Sequence, residues 1–189
     1  WVGFCAYREY WKSLASPGNW WTGEERIAIA AEVRKALGCK VCQRREQALS
    51  PGIDFGAHLA SNGLSPAAVD AVHRVITDQS RITQYYVDQS DLSDGEYVEL
   101  VGVAVIVFSI DESMRALGIA LEPLPKAVAG EPSRYRPKRA CRGVGFVSML
   151  PRGGAVGMEG DLWDSEGKSA NVVRALSLVP DAVRQWFAV

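Results

Sequence analysis

The chain has 189 residues, 48% of them apolar, and a formal net charge of −1. That suffices for one sizeable domain with a real core, or for one domain plus an appended segment. The charge balance excludes the basic face of a nucleic-acid binder, and no apolar run has membrane-spanning length: the longest, residues 100–110, ends at Asp111 and Glu112.

Helical periodicity dominates the rest. Residues 4–14 form a short amphipathic segment, ended by Ser16-Pro17-Gly18-Asn19. Thr22 with Glu25 three residues on has the form of a capping box, which predicts a helix through Ile27, Ile29, Ala30, Val33 and Leu37, broken at Gly38. A second helix opens at Cys39 and runs to Leu49, stopped by Ser50-Pro51-Gly52. After a Gly/Asn-rich loop, Ser65 caps a helix with Pro66 at its first position, the favoured place for proline, ending near Thr77. Residues 80–90 form a further polar-aromatic helix. Ser93 and Glu96 make another capping box, opening the longest helix, residues 97–117, which stops at Gly118. Within residues 122–142, five prolines and glycines and a run of arginines and lysines break helical structure. Residues 122–168 are therefore expected to be an extended, wrapping linker and then an irregular Gly-rich stretch. Asn171 caps a short helix, and Pro180 starts another. No strand alternation persists, so the class is all-α. The expected division is a helical domain at 1–121, the linker at 122–168, and, at 169–189, the start of a second related domain. The first residue is Trp1, and the apolar end at Trp186-Phe187-Ala188-Val189 is expected to be buried, against its own domain or against a partner subunit.

Four cysteines are too few for a disulfide scaffold. Two stand alone, Cys5 and Cys141, and two form Cys39-Lys40-Val41-Cys42. Nothing near the start has a signal-peptide layout, so the compartment reads as reducing and cytoplasmic. A structural zinc site needs two more ligands, usually a second close pair, and the candidates Cys5, Cys141, His58 and His73 are scattered singly. A thioredoxin-like motif needs a βαβ setting that the helical flanks do not supply. There remains a helix-borne redox dithiol. Cysteines at i and i+3 share a helical face. With Gly38 as the break, Cys39 sits at a helix N-terminus, where free N–H groups favour thiolate.

Glu25-Arg26-Ile27-Ala28-Ile29-Ala30 followed by Leu37-Gly38-Cys39-Lys40-Val41-Cys42 resembles the alkylhydroperoxidase D-like and carboxymuconolactone decarboxylase superfamily. Leu92-Ser93-Asp94-Gly95-Glu96-Tyr97-Val98-Glu99-Leu100-Val101 and Arg115-Ala116-Leu117-Gly118 resemble its next helical segment, so the likeness covers residues 20–125. It implies a helical bundle with the CxxC at the start of a helix, and a peroxidase in which the second cysteine attacks the hydroperoxide and the first resolves the sulfenic acid. Cys42 is then peroxidatic and Cys39 resolving, although proximity to the helix terminus by itself favours Cys39 as the more acidic thiol. The family's proton relay is a Glu and a His. The family position for the histidine, four residues past the second cysteine, is Glu46 here. Among the carboxylates, Glu32 lies seven residues before Cys39, close to the same helical face, with Glu25 as the second choice. Of the two histidines, His73, on a helix with Asp78 near, is the better relay candidate than His58 in its loop.

Each of these has a plainer reading: His73 as a packed core histidine, Glu32 and Glu46 as solvated helix residues, and Glu99 as the buried partner of an arginine. The aromatic cluster Trp1, Phe4, Tyr7, Tyr10, Trp11, Trp20 and Trp21 is expected in the core or a subunit interface. The expected activity is reduction of an organic hydroperoxide or hydrogen peroxide by a Cys39/Cys42 dithiol–disulfide cycle. It needs no cofactor or metal; an external dithiol protein serves as reductant, and the chain forms a homo-oligomer. The rivals are a ring-opening or decarboxylating lactone enzyme, for which a dithiol is idle, and a non-catalytic helical oligomerisation module.

Overall fold

A computed structural model describes residues 2–49, 56–59, 63–163, 166 and 168–187, the side chains of 2–6 and 187 excepted. The described helices are α1 (Val2–Leu14), α2 (Gly23–Ala36), α3 (Lys40–Gln47), α4 (Pro66–Thr77), α5 (Gln84–Gln89), α6 (Asp94–Ala116), α7 (Asn171–Leu176) and α8 (Pro180–Phe187). The only other regular elements among the described residues are two 3₁₀ turns and a two-stranded antiparallel ribbon, β1 (Cys141–Arg142) with β2 (Ser148–Met149). The class is mainly helical, and no described helix is long and apolar enough to cross a membrane.

Local chemistry sets the helix starts. Both capping boxes form: Thr22 with Glu25 opens α2, and Ser93 with Glu96 opens α6. Ser65 accepts from the Ala68 N–H, and Pro66 occupies the first turn of α4. α2, α4 and α6 pack on one another and form the centre of the molecule. Ile29, Ala30 and Val33 of α2 meet Ala68, Ala71 and Val72 of α4 and Leu100, Val103, Ala104 and Val107 of α6, all buried. The alanines let the helix axes approach while the branched residues fill the space. Each fully buried Val, Leu or Ile contributes roughly 1.5–3 kcal/mol.

Three expectations need correction. The helix over 80–90 divides into a 3₁₀ turn, Gln79–Arg81, and α5, because Thr83 is extended (φ −117°, ψ 165°) and caps α5 through the Tyr86 N–H. Asn171 is the first residue of α7 and not its cap; Ala170 takes that place, while Asn171 Oδ1 accepts from Arg174. The helix expected from Cys39 to Leu49 is α3, Lys40–Gln47, with Cys39 as its N-cap; it leans on α4 and buries only Cys42 and Arg45.

The path of the segment after α6 is fixed by hydrogen bonds. Arg34 of α2 binds Asp111 of α6 through two nitrogens, at 2.8 and 2.9 Å, and also donates to the Glu122 carbonyl at 2.8 Å. Trp11 Nε1 donates to the Pro123 carbonyl, and the Val128, Ser133 and Arg134 N–H groups bond to the Ala15, Gly18 and Asn19 carbonyls. Of the aromatic cluster, Tyr10, Trp11 and Trp21 are buried, and Tyr7 and Trp20 pack half-buried against them; the side chains of Trp1 and Phe4 lie outside the described residues.

α8 lies against its own domain. Val179, Ala182 and Val183 are fully buried, and Trp186 stacks on Gly102 of α6, where a Cβ would fall 1.9 Å from the ring. Asn19 donates to Asp181, and Arg26 donates to Gln185. The terminal Phe187 side chain, Ala188 and Val189 lie outside the described residues.

Candidate active site

The turn at Gly38 delivers Cys39 as the N-cap of α3 in an extended conformation (φ −72°, ψ 121°), and Cys42 follows one helical turn on. Cys42 is 2% exposed; Cys39 is partly open to solvent, and neither is in a disulfide. Cys42 borders a cavity of about 190 Å³ lined by Ala36, Leu37, Gln43, Glu46, Ile76 and Thr77.

Two histidines face the two thiols. His73, from the middle of α4, places Nδ1 3.1 Å from Cys42 Sγ, and its Nε2 lies 3.0 Å from Glu32 Oε1. Glu32 is on α2 and His73 on α4, so the packing of these two central helices brings the carboxylate and the imidazole together. A carboxylate only accepts, so His73 Nε2 carries the proton and Nδ1 is left to accept from the Cys42 thiol. Glu32, 3% exposed, also binds Lys35 at 3.0 Å. The second histidine repeats the arrangement. His58 Nδ1 is 3.5 Å from Cys39 Sγ, and its Nε2 is 3.1 Å from Asp70 Oδ1. The two rings lie against each other, tilted by 38°, with centroids 4.0 Å apart.

Asp70 is the junction of this second chain. Besides His58 it accepts from Arg45 (3.1 Å), Arg74 (2.9 Å) and the Tyr86 hydroxyl (2.8 Å). Arg45, itself buried, turns its other terminal nitrogen to Cys42 Sγ at 3.6 Å and pairs with Asp78 at 3.4 Å.

The environments separate the two thiols. Burial dominates at Cys42 and pushes its pKa up to about 11, against the milder pull of Thr77 and Arg45. Burial also opposes ionisation of Cys39, but the Cys42 N–H, His58 and the Val41 N–H outweigh it and hold that thiol below its usual value. Desolvation lowers the pKa of His73, more than Glu32 restores. At His58 desolvation is outweighed by Asp70 and Cys39, and the pKa rises. Asp70 resists its own burial through His58, Tyr86 and Arg74 and stays well below the usual carboxylate range.

All four site residues expected from the sequence, Cys39, Cys42, Glu32 and His73, therefore meet in one place. Glu25, the second-choice carboxylate, is occupied with the Thr22 cap of α2. Glu46 is exposed, and its carbonyl accepts from Arg81. Cys141 is exposed and away from the dithiol in β1; the Cys5 side chain lies outside the described residues. Sequence reasoning missed Asp70 and passed over His58 in favour of His73. His58 sits in a loop with no periodicity to place it, and Asp70 reads as an ordinary polar helix residue. One signal was available: Asp70 and Arg74 stand at i and i+4 with His73 on the same helix. The zinc argument from scattered ligands also changes, because the ligand atoms of Cys39, Cys42, His58 and His73 all lie within 4.8 Å of one another.

No protein-family model, no curated protein and no solved structure matches the chain.

Proposed function

We propose that the chain is a thiol-dependent peroxidase of the alkylhydroperoxidase-like class, reducing organic hydroperoxides or hydrogen peroxide through a Cys39/Cys42 dithiol–disulfide cycle. The observation that carries this reading is the unbroken path Glu32–His73–Cys42, at 3.0 and 3.1 Å, with a second thiol one helical turn away. It supplies a base for the buried thiol without a histidine at position 46, from a different helix.

In this reading His73 takes the Cys42 proton, and Glu32 steadies the imidazolium. The sulfur attacks the distal peroxide oxygen, the O–O bond breaks, and the departing alkoxide takes the proton from His73 and leaves as the alcohol. Cys42 is now a sulfenic acid. Cys39, already biased toward thiolate by the start of α3 and His58, attacks that sulfur; the hydroxide leaves, takes up a proton and becomes water. An external dithiol protein then reduces the disulfide by exchange. A reducing compartment such as the cytoplasm suits this cycle. A homo-oligomer is proposed on the α6 stripe of Val101, Val105 and Phe108, of which Val105 is 47% exposed.

The decisive experiment oxidises single-cysteine variants in the presence of dimedone, which labels sulfenic acids. Label on Cys42 in Cys39→Ser, with none on Cys39 in Cys42→Ser, supports the assignment. The reverse pattern exchanges the two roles. No label in either variant, with no peroxide consumed by the unaltered chain, removes the peroxidase.

A further inference from the structure

We propose that Cys39, Cys42, His58 and His73 also form a binding site for a single Zn²⁺ ion, and that zinc and peroxide compete for the same two thiolates. The binding stands on geometry alone; the competition rests on the peroxidase reading.

Zinc takes tetrahedral sulfur and nitrogen ligands at about 2.3 Å and about 2.0–2.1 Å, so neighbouring ligand atoms end up roughly 3.3–3.8 Å apart. The Cys42–His73 and Cys39–His58 pairs stand at 3.1 and 3.5 Å, and no ligand atom is more than 4.8 Å from another. Four ligand atoms around one point need only small side-chain rotations to enclose an ion. The donor set is two thiolates and two imidazoles, the chemistry that zinc selects over magnesium or calcium.

The outer contacts fit as well. A ligating imidazole is usually oriented by a carboxylate on its other nitrogen. Both histidines turn Nδ1 to the thiols and give Nε2 to a carboxylate, His73 to Glu32 and His58 to Asp70. A relay on one cysteine requires a single such pair; the second, symmetric pair is what a four-ligand centre requires. Arg45 faces Cys42 Sγ at 3.6 Å and supports the thiolate form without blocking the space between the four atoms.

Occupation and turnover exclude each other because both use the sulfur lone pairs. A bound ion replaces the two thiol protons. Peroxide acting on the loaded site takes two electrons from the two thiolates. One S–S bond forms and the O–O bond breaks. With two protons from solvent the hydroperoxide becomes alcohol and water, and Zn²⁺ is set free. The dithiol is then both a catalyst and a peroxide-triggered zinc store.

The test starts from the reduced full chain stripped with chelator, titrated with Zn²⁺ against a colorimetric indicator and, separately, with Co²⁺. The expected result is one equivalent of either metal. Cobalt should give the strong visible bands of a tetrahedral site together with thiolate-to-metal charge transfer. Affinity should fall at least about tenfold in both His58→Ala and Cys39→Ser, as for lost contacts at other metal centres. Failure to retain one equivalent, an octahedral cobalt spectrum, or affinity unchanged in both variants overturns the site. Peroxide added to the zinc-loaded chain should release one zinc per disulfide, and zinc should slow peroxide consumption. Tight binding in a chain that consumes no peroxide when metal-free overturns the competition and the peroxidase but leaves the metal site. Peroxide consumption without zinc binding overturns the metal site and leaves the peroxidase.

Discussion

Two buried polar clusters occupy this helical body, and they are built on opposite principles. Around Cys42, the charged groups surround a thiol that borders a cavity. Around Arg26, the charged groups surround each other. Arg26 and Glu99 are both fully buried, 3.7 Å apart, and are sealed by Gly18 and Trp20 on one side and by α8 on the other. Arg26 donates to the Ser13 and Ser16 carbonyls at the end of α1 and to Gln185 of α8, and Glu99 accepts from the Trp20 N–H at 2.7 Å. Burial of charge therefore does not by itself mark a reactive centre. A reactive centre also needs an atom that can leave its partners and a space for a substrate to enter. The Arg26–Glu99 cluster ties α1, α2, α6 and α8 together and has neither.

The sharpest way to break that contrast is to substitute one member of each cluster. Cys42→Ser should abolish peroxide consumption while changing stability by only about 1 kcal/mol, since the hydroxyl keeps a partner in His73. Peroxide assay and urea melts on the same sample check both halves; full turnover in this variant would refute the proposed chemistry. Arg26→Ala should do the opposite. It strands a buried carboxylate and frees two carbonyls, at a cost of about 3–5 kcal/mol, while the dithiol chemistry of whatever remains folded persists.

A pH series separates the clusters without touching the cysteines. Burial, against the pull of Arg26, raises the Glu99 pKa from 4.5 to about 7. The folded chain then holds a proton that the unfolded chain has released, so this group's contribution to stability is complete below about pH 4.5 and is lost as pH rises to about 7. The difference is on the order of 3 kcal/mol. Chemical denaturation across that window should show stability falling with rising pH, and Glu99→Gln should flatten the slope. An unchanged slope would mean that Glu99 is ionised throughout. The smallest expected effect is at the seam with α8. Gly102→Ala pushes a methyl into the Trp186 ring, at about 1–3 kcal/mol, and should shift tryptophan fluorescence without altering thiol reactivity.

What the sequence disclosed follows the range over which each signal acts. Helix starts were readable because capping is settled within four residues, at Thr22, Ser65 and Ser93. The Glu32–Cys39 relation was readable because heptad spacing crosses one short turn. His73 was chosen because it lies on a helix with chemistry to offer. His58 was passed over because its approach to Cys39 depends on where a loop returns to α4, and no local pattern encodes that. The leaning of α3 on α4 was hidden for the same reason: eight residues carry too little apolar surface to declare a partner. The β1–β2 ribbon is two residues per strand, too short for alternation to register.

The strap after α6 has a consequence for how the chain meets a protease. A long run without helix or strand is ordinarily where cleavage concentrates. Here one segment offers basic residues on two kinds of backbone. Between Lys126 and Arg134, the peptide groups of Val128, Ser133 and Arg134 are already engaged with the turn joining α1 to α2, and an enzyme that must draw the chain into an extended groove would first have to peel it away. Lys138 and Arg139 lie exposed, just beyond those anchors and before β1. Trypsin should thus cut at Lys138 and Arg139 before it cuts between Lys126 and Arg134, leaving a nicked body whose two pieces stay joined where Arg26 meets Gln185, Asn19 meets Asp181 and Trp186 lies on Gly102.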